Sequence, residues 1–169
     1  MASWVRKSSA ALLLLAACSG GASAPPPGVS VDAVGAPEFH FDSIDSREVS
    51  SDAFRGKPAV LAFITTYDPI SQAEVDYLLP LAASEPGVNF ALVVLQDAAQ
   101  RELVEMYRDA MHVKFPIALG DEATIAGGGT LGDVHVVPTV VVLGRDGKIV
   151  WRKAGGARPD EIRAHLPRH

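Results

Sequence analysis

The chain has 169 residues, of which 48% are apolar and 21% charged, and a formal net charge of −5. That composition is ordinary for one soluble globular domain able to bury its own core, and the acidic balance excludes nucleic acid as a partner. A single cysteine, Cys18, excludes an intrachain disulfide.

In chain order, the first segment is not part of a folded body. Met1 to Ser9 carries Arg6 and Lys7 and no acid, and Ala10 to Ala17 (AALLLLAA) is a short apolar run. A basic stretch followed by an apolar one is a signal-peptide pattern. The run is too short to span a bilayer as a helix, which takes ~20 residues. It ends in Leu15-Ala16-Ala17-Cys18, a string that resembles the lipobox of bacterial lipoproteins. The resemblance implies residues 1–17 as a cleaved leader and a diacylglyceryl group on the Cys18 sulfur. Ser19, not Asp, follows the cysteine, which by resemblance to the usual sorting rule implies an outer-membrane lipoprotein facing the periplasm. Loss of Arg6 and Lys7 leaves 13 basic against 20 acidic residues, a net of −7. Membrane attachment then comes from the lipid and not from charge. A lipidated Cys18 also leaves the mature chain with no thiol.

Residues 18–37 form a Gly-, Ala-, Ser- and Pro-rich stretch with no apolar period, which reads as a flexible tether. The domain proper is assigned to residues 38–169. Phe39 to Phe41 and Arg47 to Val49 predict a short opening hairpin, and Ser51 to Phe54 a helical turn ending at Gly56. Ala59 to Thr66 (AVLAFITT) is a nearly unbroken apolar run of strand length, as suits a strand covered on both faces. Pro69 to Ser84 reads as a helix with Ile70, Ala73, Tyr77, Leu78, Leu81 and Ala82 on its apolar face. Val88 to Leu95 reads as a second buried strand. Ala98 to His112 reads as a helix that buries Leu103, Tyr107, Ala110 and Met111. Gly127-Gly128-Gly129 reads as a flexible connection. Thr139 to Leu143 and Lys148 to Lys153 are strands joined at Asp146-Gly147, a strong hairpin signal. A short helix over Arg158 to Leu166 closes the chain. The order βαβα followed by ββα predicts an α/β domain with one mixed sheet covered by helices on both faces.

Specific residues carry a resemblance. Gly56 to Phe63 (GKPAVLAF), then Val137-Pro138-Thr139, then Gly144 to Ile149 (GRDGKI) and Gly155-Gly156 together resemble the thioredoxin-like redoxins of the TlpA/ResA type, the periplasmic thiol–disulfide oxidoreductases of cytochrome maturation. The resemblance spans roughly Pro37 to Leu166 and implies the thioredoxin-like fold, with a cis bond at Val137-Pro138. It also implies a Cys-x-x-Cys motif at the turn after the first central strand. Here that turn reads Tyr67-Asp68-Pro69-Ile70-Ser71, with Asp68 and Ser71 where the cysteines would stand. Ala62 stands where many thioredoxins keep a buried carboxylate, and Pro80 comes later in the helix than the family's proline. Asp68 followed by Pro69 reads as a helix cap and first-turn proline, and Ser71 as a small polar helix residue with no paired base.

The functional expectation is a membrane-anchored, redox-inactive thioredoxin-like module that needs no cofactor. Its client groove, implied by the resemblance, is formed by His135, Val137, Pro138 and Thr139 and takes an extended peptide or protein client. The alternative is an oxidoreductase of the thioredoxin or peroxiredoxin kind with displaced chemistry. A further variant uses His135 as a metal ligand, by resemblance to Sco-type copper proteins of the same fold. His40, His112, His165 and His169 have no zinc-site spacing.

Overall fold

A computed structural model describes Met1 and residues 35–167. The rest of the leader, Cys18 and most of the tether lie outside the described residues. In chain order the elements are β1 (His40–Ser43), β2 (Val49–Ser50), α1 (Ser51–Phe54), β3 (Ala59–Ile64), α2 (Pro69–Ser84), β4 (Asn89–Val94), a 3-10 turn (Ala98–Gln100) running into α3 (Arg101–Ala110), β5 (Ile117–Leu119), α4 (Glu122–Ile125), β6 (Thr139–Leu143), β7 (Ile149–Ala154) and α5 (Pro159–His165). The seven strands form one sheet in the order β2-β1-β5-β4-β3-β6-β7. Pairing is parallel for β3–β4 and β4–β5 and antiparallel elsewhere.

The unbroken apolar run of β3 follows from its central place. Successive side chains point to opposite faces, and both faces are covered. Val60, Ala62 and Ile64 join Leu92, Val94, Val140 and Val142 under α2, α3 and α5, packing on Val75, Leu78, Leu81, Val104 and Ile162. Leu61 and Phe63 join Ala91, Val93 and Val141 on the other face, beneath Phe39, Phe41, Phe54, Leu131 and Val134. Each fully buried Val, Leu, Ile or Phe contributes about 1.5–3 kcal/mol, so this double core holds the sheet without a disulfide.

Several expectations are corrected. The apolar face of α2 is rotated: Ser71, Glu74, Val75, Leu78 and Leu81 are its buried residues, while Ile70 and Tyr77 are exposed. In α3 the buried residue is Val104, and Leu103 is exposed. Helix α2 runs on through Pro80, whose missing N–H falls on the exposed side of the helix. Strand β5 and helix α4 are additional elements. Three residues between Pro116 and Gly120 carry little signal of their own, and β5 exists because β4 and β1 pair with its two edges. The Gly127–Gly129 run is a tight, bonded turn and not a loose connection. Gly127 and Gly129 have φ of +94° and +113°, and the Gly127 N–H donates to the Thr124 carbonyl at 3.0 Å.

Candidate functional site

The site lies past the C-terminal end of β3. There the chain leaves the sheet at Thr65, turns through Tyr67 and enters α2 at Pro69. Asp68 is the N-cap: its Oδ2 accepts the Ser71 N–H at 2.6 Å, and Pro69 takes the first helical position. Asp suits a cap because its carboxylate satisfies a backbone donor left bare at a helix start. Pro suits the next position because its fixed φ is helical and its absent N–H is not needed there. The bond from the Ser71 N–H, which favours the ionised form, holds the Asp68 carboxyl below its ordinary 3.8.

Ser71 is fully buried. Its hydroxyl accepts the Thr65 N–H at 3.4 Å, tying the end of β3 to the first turn of α2. The adjoining Thr66 N–H donates to Gln96 Oε1 at 2.8 Å, and Gln96 is itself buried just beyond β4. Side chains thus satisfy the backbone of this turn. Asp68 and Ser71 both act on backbone N–H groups, and the Ser71 hydroxyl adds to the Ser71 N–H in holding the Asp68 carboxyl down.

The cap assignment predicts that Asp68→Asn folds nearly as well as the wild type, because Asn also caps. Asp68→Ala should lower the urea midpoint, with the m-value unchanged. The depressed carboxyl stabilises the fold above its unfolded pKa of about 3.8, and that contribution is lost as pH falls through the lower folded pKa. The gap between wild type and Asp68→Ala should therefore narrow in acid.

The β6 side of the site comes to the same end of the sheet by register. Thr139 stands opposite Phe63, so Pro138 lies beside the end of β3. The Val137-Pro138 bond is cis. Thr139 is buried, and its hydroxyl donates to the Val136 carbonyl at 2.6 Å. The Pro138 carbonyl accepts the Gly155 N–H at 2.8 Å. The Arg152 guanidinium on β7 donates to the Asp133 carbonyl and so fastens the segment leading into Pro138. Around this frame the apolar side chains of Tyr67 (75% exposed), Ile70 (59%) and Val136 (50%) face solvent. The backbone N–H and carbonyl of Val137 bond to no other group among the described residues.

His135 is exposed and folds back over Gly127, where an added Cβ would stand 2.5 Å from its Nδ1. The φ of Gly127 favours glycine, whereas the His135 ring, being exposed, can move aside. No group of three or more His, Cys, Asp or Glu that could hold a metal ion occurs among the described residues.

Sequence reasoning missed three residues here: Thr65, Gln96 and above all Glu74. Glu74 is 1% exposed on the inner face of α2. Its Oε2 accepts the Ala157 N–H at 2.6 Å, and its buried Oε1 has no hydrogen-bond partner. Desolvation pushes the carboxyl from its ordinary 4.5 up to about 7, against the opposing pull of the Ala157 N–H and of Lys153. The signal was in the sequence: Glu74 stands in helical phase with Ser71, Val75, Leu78 and Leu81.

A mixed sheet with helices on both faces, a capped strand-to-helix turn and a cis-proline beside it define a thioredoxin-like domain. The chain belongs to the redoxin family, whose model, described as Redoxin, matches residues 32–166. Among solved structures, the chain is similar to StoA from Bacillus subtilis, with a TM-score of 0.63 and 21% identity over 76% of this chain and 96% of that one. It is similar to a thiol:disulfide interchange protein of the thioredoxin family from Chlorobium tepidum TLS, with a TM-score of 0.66 and 19% identity over 86% and 100% of the two chains. A secreted disulfide oxidoreductase of Mycobacterium tuberculosis superposes with a TM-score of 0.59 and 21% identity over 75% and 92%. At these identities the likeness establishes the fold. No curated protein sequence matches the chain.

Proposed function

We propose that this redoxin is a lipid-anchored binding module of the cell envelope that holds an extended peptide or protein client without thiol chemistry. The observation that carries the reading is the free backbone of Val137 beside Pro138, next in the chain to exposed Val136, with exposed Ile70 against Gly156, the neighbour of the Gly155 that bonds to Pro138. An unpaired N–H and carbonyl just ahead of β6 accept a client strand, and apolar neighbours take its side chains. The Asp68 and Ser71 positions support the non-catalytic part of the reading. A disulfide exchange needs a thiolate at the helix N-terminus, and here a carboxylate caps the helix while a buried hydroxyl serves the Thr65 N–H. In this reading Asp68 and Ser71 occupy the places of the family's two cysteines. Cys18 carries the lipid, and the domain faces the periplasm from the outer membrane.

The test uses reduced, carboxymethylated lactalbumin, an unfolded chain that can offer extended segments but no thiol. It should bind the wild-type protein measurably by calorimetry. Ile70→Asp combined with Val136→Asp should weaken that binding at least ~10-fold, the scale of a lost interface anchor. Insulin reduction should stay at the uncatalysed rate. Equal binding by wild type and variant, or catalysed insulin reduction, would overturn the reading.

A further inference from the structure

The buried carboxylate of Glu74 lies beneath the segment that forms one wall of the Pro138 site. That segment is a strap of three residues, Gly155 to Ala157, between β7 and α5. It is held at three points. The Gly155 N–H donates to the Pro138 carbonyl at 2.8 Å. The Ala157 N–H donates to Glu74 Oε2 at 2.6 Å. Between them Gly156 lies alongside α2: a Cβ there would make ordinary contact at 3.6 Å from Glu74 Oε2 and 3.8 Å from Ile70 Cγ2. The strap is thus both the lid over the Glu74 carboxyl and the neighbour of exposed Ile70. Its two adjacent glycines, Gly155 at φ +86°, give it backbone freedom that other residues lack.

The charged groups bearing on Glu74 are Lys153 on β7 and Glu161 on α5. They are bound to each other, Lys153 Nζ donating to Glu161 Oε1 at 2.7 Å, so neither neutralises Glu74. The buried core on this face includes Val75 and Leu78 on α2 and Ala157 and Ile162 from the strap and α5, with Ser71 the other buried polar side chain of α2. In its neutral form the carboxyl leaves one oxygen without a partner at modest cost. Once ionised, it holds a buried charge with one N–H donor and a bare Oε1, and burial of an under-bonded charge is expensive. The cheapest relief is water, and the strap is what excludes it.

We propose that the Gly155–Ala157 strap is a pH-gated wall of the Pro138 site, closed against α2 while Glu74 is neutral and released when Glu74 ionises. Burial places the transition near pH 7. Release breaks the Gly155–Pro138 bond and parts Gly156 from Ile70, so the client surface is intact on the acidic side of the transition and loosened on the alkaline side. This deepens the binding reading above, on which its functional meaning rests, but the movement itself is measurable without any client.

The experiment follows amide exchange protection and the Glu74 side-chain carboxyl carbon by NMR in the full chain, held in detergent micelles. Protection factors already remove the intrinsic base catalysis of exchange. Between about pH 6 and about pH 8.5 the protection of the Gly155 and Ala157 amides should fall at least ~10-fold, with a midpoint shared by the Glu74 carbon. In Glu74→Gln, which keeps the shape and the acceptor for Ala157, protection should be flat across that range. Lys153→Met should move the wild-type midpoint upward, since it removes the cation that favours ionisation. Three results would overturn the proposal: a Glu74 carbon titrating in the ordinary carboxyl range, flat protection while Glu74 titrates near neutrality, or a fall in protection that persists in Glu74→Gln. If the strap titrates as described while carboxymethylated lactalbumin fails to bind, the switch stands and the binding reading falls.

Discussion

Replacing Cys18 by Ser should move this protein from the detergent phase to the aqueous phase in a phase-partitioning experiment, or leave it as an uncleaved precursor. The expectation rests on what remains once the thioether is gone. The apolar run Ala10–Ala17 is eight residues long, less than half of the ~20 that a spanning helix needs. No helix among the described residues is long and apolar enough to cross a membrane. A chain cut before Cys18 would carry a net charge of −7, which repels anionic headgroups instead of binding them. A diacylglyceryl group contributes on the order of 0.8 kcal/mol per buried CH₂, and two chains together suffice for stable attachment. Loss of that group removes the whole attachment energy, so the change in partitioning should be close to complete. Identical partitioning of wild type and Cys18→Ser would refute the anchor, while the redoxin fold and its site would be untouched.

The parts of the fold that were legible in the sequence are those where local chemistry and tertiary context agree. The Ala59–Ile64 run announced a strand covered on both faces, and the structure puts it at the centre of the sheet. Asp68-Pro69 announced a helix start, and both residues take the expected positions. Asp146-Gly147 announced the β6–β7 hairpin, where Gly147 has φ +77°. What was not legible depends on neighbours distant in the chain. Strand β5 has three residues and is fixed by hydrogen bonds from β4 on one edge and β1 on the other. Outside it, the Arg47 guanidinium donates to the Phe115 carbonyl. The face of α2 was misread because two apolar stripes overlap on that helix. One runs through Ile70, Ala73 and Tyr77, the other through Val75, Leu78 and Leu81. Leu78 and Leu81 belong to the apolar face on either reading, and the charge of Glu74 masks the side of the stripe that holds Ser71, Glu74 and Val75. The sheet chose that stripe, because Val75, Leu78 and Leu81 meet the β3 and β4 side chains, and it took Glu74 inside with them. The same choice left Ile70 exposed, against Gly156 of the β7–α5 connection.

Glu74→Gln should reverse the usual relation between a charge and stability: the variant should be more stable than the wild type in mild alkali and nearly equal to it in acid. The folded-state carboxyl sits at about 7, above its ordinary 4.5, because desolvation outweighs the Ala157 N–H bond and the pull of Lys153. The folded protein therefore holds the Glu74 proton more tightly than the unfolded chain does. Stability from this group is fully present below about pH 4.5. It declines as pH rises between the two values and is lost once pH has passed through about 7, where the folded state must bear the buried charge. At 1.36 kcal/mol per pH unit the shift from 4.5 to about 7 sets an upper bound of ~3.4 kcal/mol on the loss in mild alkali; screening by the surrounding protein and solvent brings the expected loss to about 2 kcal/mol. Gln has no charge to bury, and its amide oxygen can accept the Ala157 N–H in place of Oε2, so its stability should not share that decline. Urea unfolding followed by circular dichroism at about pH 5 and about pH 8.5 should show the two proteins diverging with rising pH. The variant's advantage should appear in the midpoint and not in the m-value. Glu74→Ala should be destabilised at both pH values, because it leaves the Ala157 N–H without an acceptor and a void between α2 and the strap. Parallel pH profiles for wild type and Glu74→Gln would mean that the carboxyl is solvated in the folded state, with its desolvation relieved by water inside the α2–α5 contact.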